Sequence, residues 1–130
     1  MSFEDAIAAL GAEFGVELSA EDGTASLEVS SEGGDFEPVS FTLTYEPEYE
    51  TLLISADVCE VDPARGDEPL LKMLEANHMF TGTTGATFCV DDGRAKLERR
   101  IRLQSFWREG GKAILMSFFK TVQAWRRENN

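Results

Sequence analysis

The chain has 130 residues, 42% of them apolar and 28% charged, with a formal net charge of −12; this fits one globular domain spanning residues 1–130 and argues against a wholly disordered chain. No apolar run approaches the roughly 18 residues of a membrane span, and no basic, apolar leader opens the chain, so a cytoplasmic protein without membrane insertion is expected. A sequence pI near 4.4 argues against nucleic acid as a partner, because phosphates call for clustered Lys and Arg.

Phe3, Ile7, Leu10 and Phe14 recur at helical spacing and predict a first helix. Ser2 suits its N-cap, Glu4 and Asp5 its positive N-terminal end, and Gly15 its stop. Ala25, Leu27 and Val29 then alternate with polar residues, as expected of a strand. The acidic, glycine-containing stretch Ser31–Asp35 breaks that pattern. Val39, Phe41, Leu43 and Tyr45 predict a second strand, Glu46–Glu50 a turn around Pro47, and Leu52, Ile54, Ala56 and Val58 a third strand. Connections this short favour an antiparallel meander.

After a break at Asp62–Gly66, Asp67 is positioned to cap a second helix that tolerates Pro69 in its first turn. Leu70, Leu71, Leu74 and His78 form its apolar side, widened by Met73. Phe80–Gly85 is a Thr/Gly loop. Ala86, Phe88 and Val90 predict a fourth strand, Asp91-Asp92-Gly93-Arg94 a tight hairpin turn, and Leu97, Ile101 and Leu103 a fifth strand. Arg99 falls on the apolar face of that strand. A last helix is expected from about Ser105, with Ile114, Phe118, Val122 and Trp125 as its stripe. Gly110-Gly111 weakens it by about 1 kcal/mol per glycine, so the helix starts after them or bends there. The order αβββαββα defines an α+β domain: an antiparallel sheet with helices packed on it.

The charge is unevenly distributed. Residues 1–64 hold 16 acidic side chains and no Lys or Arg; residues 65–130 hold 8 acidic and 12 basic ones. Solubility accounts for a net negative charge, and attraction to a basic partner segment is the sharper reading.

Catalytic chemistry has little to stand on. His78 is the single histidine, and its place on an apolar helix face suits a partly buried structural residue. No His or Cys spacing suggests a metal ligand set, so no metal site is expected. Gly82-Thr83-Thr84-Gly85 lacks the Lys-Ser/Thr of a phosphate cradle and leads into a strand instead of a helix. Cys59 and Cys89 belong to no paired motif and are expected to be reduced thiols. No catalytic residue is assigned.

The segment Leu70-Leu71-Lys72-Met73-Leu74-Glu75-Ala76-Asn77 runs into Gly82-Thr83-Thr84-Gly85-Ala86-Thr87-Phe88, then the Asp91-Asp92-Gly93 turn, a strand from Leu97, and a final Ala124-Trp125-Arg126. This succession resembles the class I type III secretion chaperones, the family of the Tir chaperone. The resemblance implies a homodimer that binds the extended N-terminal segment of a secreted effector and keeps it competent for secretion, without ATP or cofactor. It also directs attention to helix 1 and its neighbouring strands for the client, where Phe3, Ile7, Phe41 and Leu43 are the candidate contacts. For the dimer interface the candidates are Leu70, Leu71, Met73 and Leu74, which give helix 2 more apolar surface than one face needs, with Leu97, Arg99 and Ile101. Arg99 would meet a carboxylate across the two-fold. The acidic half would flank the client path. A same-fold adaptor or regulator outside secretion, or a small enzyme or ligand-binding domain, are the alternatives.

Overall fold

A computed structural model describes residues 2–30, 37–78 and 85–128. Helix α1 (Phe3–Phe14) is followed by strands β1 (Thr24–Val29), β2 (Val39–Glu46) and β3 (Thr51–Glu60). Helix α2 (Glu68–Asn77), strands β4 (Thr87–Asp91) and β5 (Arg94–Arg102), and helices α3 (Leu103–Glu109) and α4 (Gly111–Glu128) complete the chain. All strand pairings are antiparallel, in the order β1-β2-β3-β5-β4. The expected meander and α+β order are present, and the terminal helix is two helices.

Local sequence sets these elements. The Ser2 hydroxyl accepts from the Asp5 amide at 3.1 Å, and Gly15 ends α1 in the left-handed region with φ +73°. Asp92 and Gly93 both have positive φ, 50° and 75°, as a two-residue hairpin whose twist matches its strands requires. Gly110 breaks the terminal helix with φ +91°. Gly111 next to it has no room for a side chain: a Cβ there would sit 2.6 Å from the Phe106 ring and 2.9 Å from Leu10 Cδ1. The two glycines thus let α3 fold back against α4 and α1. Leu103, expected in the fifth strand, opens α3 instead, and Ser105 lies inside that helix and does not cap it.

One face of the sheet carries the core. Leu27, Phe41, Ala56, Leu97 and Phe88 line up across the strands by register, and all are buried. Helices α1, α3 and α4 cover this face: Phe3 stacks on Tyr45 with ring centroids 5.5 Å apart, and Phe118 of α4 meets Phe41 edge-on at 6.2 Å. The opposite face is half-open and held by polar pairs. Arg94 forks onto Asp57 with two 2.7 Å bonds, and Arg100 donates to Glu46 at 2.9 Å, which holds that carboxyl below its ordinary pKa.

Strand β3 slips register between Asp57 and Cys59, leaving Val58 without a partner on β5. Arg126 of α4 occupies the slip. Its Nε donates to the Val58 carbonyl at 2.7 Å and its Nη2 to the Asp57 carbonyl at 3.2 Å. Its Nη1 donates to Glu37 and Pro38 carbonyls at 3.0 and 3.3 Å, fastening the start of β2 to the same point.

Candidate functional site: protein-binding surfaces

The four residues expected to line a client surface do not reach one. Phe3, Ile7, Phe41 and Leu43 are 2%, 0%, 1% and 0% exposed. Phe3 of the helix stripe lies against Tyr45 of β2, and Phe41 of the strand lies under Phe118 of α4. Any surface for a partner lies elsewhere.

Strand β1 supplies one. It pairs with β2 on one side; Thr24 at its start also forms an isolated bridge with Glu21, with bonds of 2.8 and 3.0 Å, and among the described residues no strand pairs with its other edge from Ala25 to Val29. An unpaired edge is a row of backbone donors and acceptors ready to accept a further strand. Its surroundings are acidic: Glu28 lies exposed on the strand, Glu21 and Asp22 precede it, and Glu17 lies before those. Among the described residues no cation is paired with any of them. The other sheet edge, on β4, is treated differently. The Phe88 amide donates to Asn77 Oδ1 at 2.6 Å, and Asn77 Nδ2 donates to the Phe88 carbonyl at 3.1 Å. The carboxamide of α2 therefore stands in for a strand residue and closes that edge at this position. Asn77 was visible in the sequence only as part of the Glu-Ala-Asn run, with no role attached.

Helix α2 supplies a second surface. Leu71 and Leu74 are 56% and 64% exposed, on the side turned away from the protomer. Leu70 is half-buried, packing with Met73 against Cys59 and Val61 in a small crevice. Met73, Leu97 and Ile101, expected at an interface between protomers, are buried in the protomer's own core, because α2 flanks β4 and the β5 side chains point under the helices. Arg99 is half-buried on that same inner face, opposite Ile54 and beside Gly85. Val90, read in the sequence with Ala86 and Phe88 as an apolar residue of the fourth strand, is 53% exposed, whereas those two are buried.

The groups with catalytic potential are not gathered. His78 is exposed at the C-terminal end of α2, not tucked into an apolar face. Both cysteines are free thiols. Burial pushes Cys59 up, and burial with a 3.1 Å bond to Glu98 pushes Cys89 up to about 11. Of the Gly82–Gly85 loop, only Gly85 falls within the described residues. Among those residues, no three His, Cys, Asp or Glu side chains converge to hold a metal, and no helix is long and apolar enough to cross a membrane.

This is an α+β domain whose distinguishing surfaces are a free strand edge in acidic surroundings and an apolar outer helix face, both suited to polypeptide partners. A model of the Tir chaperone protein (CesT) family matches residues 5–126, and the chain belongs to that family. No curated protein matches it. Among solved structures, the fold is similar to a chain of the ExsC–ExsE complex, with a TM-score of 0.76 and 21% identity, covering 98% of this chain and 96% of that one. It is similar to a chain of the HopA1–SchA chaperone–effector complex, with a TM-score of 0.73 and 15% identity over 96% and 93% of the two chains. A third similar fold comes from the Yersinia pestis type III secretion chaperone SycH in complex with a fragment of YscM2, with a TM-score of 0.69, 12% identity, and 95% and 99% coverage.

Proposed function

We propose that the protein is a cytoplasmic type III secretion chaperone that works as a homodimer. It binds the extended N-terminal segment of a secreted effector and keeps that segment secretion-competent, without catalysis and without a cofactor. Membership of the Tir chaperone family over residues 5–126 carries this reading. The solved relatives support it, since one is described as a chaperone–effector complex. The free edge of β1 supplies a physical means. An extended client strand would add to it by backbone hydrogen bonds, which hold a segment of almost any sequence without folding it. The unpaired Glu17, Glu21, Asp22 and Glu28 would draw in basic residues flanking that strand. Exposed pairs contribute only about 0.2–1 kcal/mol each, so their main effect is on the rate of encounter. The outer face of α2, with Leu71 and Leu74, is the surface for the second copy.

Stopped-flow binding of N-terminal segments from effectors encoded beside the gene tests this reading. Stoichiometric binding without nucleotide is expected, with an association rate that falls about tenfold or more from low salt to about 0.5 M. If none of these segments binds, the proposal fails. If one binds at a rate indifferent to salt, the acidic bias serves solubility alone.

A further inference from the structure

A cleft of about 510 Å³ opens where the β2–β3 turn meets α3. Tyr45 and Leu103 contribute to its lining, Tyr49 comes from the turn, and Trp107 and Arg108 come from α3, with Arg102 at the end of β5. The walls are tied together, since the Leu103 amide donates to the Glu50 carbonyl at 2.9 Å. The cleft shares no residue with the β1 edge or the outer face of α2.

Three features make this more than a surface irregularity. Tyr49 is 71% and Trp107 46% exposed, and these are the two large aromatic side chains left most open among the described residues. The α3 helix turns Leu103 and Phe106 inward, so Trp107 is displaced outward instead of being needed by the core. Arg102 and Arg108 are exposed, and among the described residues neither has an ion-pair partner. On the same sheet Arg94 and Arg100 are both paired with carboxylates. Two unengaged guanidinium forks beside two open aromatic rings match a carboxylate next to an apolar anchor: Arg binds carboxylates bidentately, and Trp, Tyr and Arg dominate protein-docking hot spots.

The net charge of the chain narrows the occupant. A protein at −12 repels a free small anion at long range, and Glu50 on the rim leaves the cleft with an excess of one positive charge. Charge alone would not retain a ligand here. An occupant has to combine an acidic group with apolar contact area against Tyr49 and Trp107. We infer that the cleft under α3 is a second docking site, separate from the client edge, for a short acidic peptide segment anchored by an aromatic or leucine side chain. The inference goes beyond the chaperone reading and does not depend on which effector is the client.

The test uses the full chain and a short synthetic peptide carrying Asp-Phe-Glu-Leu in a Gly/Ser frame, followed by fluorescence of the exposed Trp107 and by calorimetry. Saturable binding is expected, weakened about tenfold or more by Arg108→Glu or Arg102→Glu. The peptide should also bind more weakly when its acids are replaced by Lys, or when Phe and Leu are replaced by Gly. Both arginines are exposed, and circular dichroism checks that each variant keeps the native fold. Absence of saturable binding, or unchanged affinity in both arginine variants, overturns the inference. Displacement of the peptide by inorganic phosphate at equal concentration overturns it in favour of a simple anion site. Arg108→Glu should leave binding of an effector segment unchanged; loss of that binding would make the cleft part of the client path and would overturn its separateness.

Discussion

Replacing Arg126 by Met removes the group that fills the register slip in β3 while keeping most of the apolar stem. Four carbonyls lose a donor, those of Val58, Asp57, Glu37 and Pro38. The bonds to Glu37 and Pro38 are exposed, and water replaces them at little cost. The bonds to Val58 and Asp57 are partly buried, and each acceptor left unsatisfied there costs about 1–2 kcal/mol. The expected loss is about 2–4 kcal/mol, a large share of the roughly 5–15 kcal/mol that holds a domain of this kind. Arg126→Lys should recover less than half of it, because a single ammonium nitrogen lacks the planar fork whose Nε and Nη2 reach the Val58 and Asp57 carbonyls together. Urea unfolding at fixed protein concentration measures the effect as a lower midpoint with an unchanged slope. A midpoint within the equivalent of about 0.5 kcal/mol of wild type would mean that the bulge is satisfied without the guanidinium, and the reasoning fails.

Two further outcomes follow from the surfaces. In the proposed homodimer, Leu71→Glu with Leu74→Glu should yield a folded monomer: each leucine has more than half its surface to bury across the proposed two-fold, worth roughly 1–2 kcal/mol per side chain, so the dissociation constant of that dimer would rise about a thousandfold or more. Sedimentation showing the same association state for wild type and variant would remove α2 from the interface. Cys89, with its thiol pushed up to about 11, should alkylate at pH 7.5 far more slowly than an ordinary cysteine, with roughly a hundredfold less thiolate, and the rate should climb until the pH passes that value. Glu98→Gln should move the climb to lower pH; labelling by iodoacetamide, mapped to Cys89 by mass spectrometry, checks both, and a rate at pH 7.5 equal to that of free cysteine refutes the assignment.

The elements were largely legible because they rest on local rules. The period-2 runs at Leu27, Phe41 and Ile54 are strands, and the Ser2 cap and Gly15 stop bound α1 where they should. The site residues were not legible in the same way. Periodicity says that a side is apolar but not what covers it, so Phe3 and Phe41 read as surface candidates, although Phe3 lies against Tyr45 of the sheet and Phe41 under Phe118 of α4. Met73 and Leu74 are neighbours on one apolar-rich helix, yet one is core and the other exposed, a distinction set by where α2 docks beside β4. Asn77 and Arg126 act through backbone groups far off in sequence, at Phe88 and Val58. Side-chain-to-backbone bonds of that kind leave no periodic trace.

The uneven charge has a structural logic once the contacts are known. A first half with 16 acidic side chains and no basic one cannot neutralise itself. The second half supplies the cations, and supplies them at particular places. Arg94 reaches Asp57, Arg100 reaches Glu46, Lys112 donates to the Glu13 carbonyl and lies over the Phe14 ring, and Arg126 reaches the β3 slip. These contacts fall on β2, β3 and the end of α1, where strands and helices must be held together. None of them touches β1. Arg94 and Arg100 neutralise carboxylates, while Lys112 and Arg126 fasten the backbone, so cohesion between elements is supplied on β2, β3 and α1 and not on β1. Asp57 and Glu46 of the first half are neutralised, on β3 and β2, whereas no acid on or just before β1 is ion-paired among the described residues, so in the proposed client path a basic segment meets carboxylates that the fold has not already engaged.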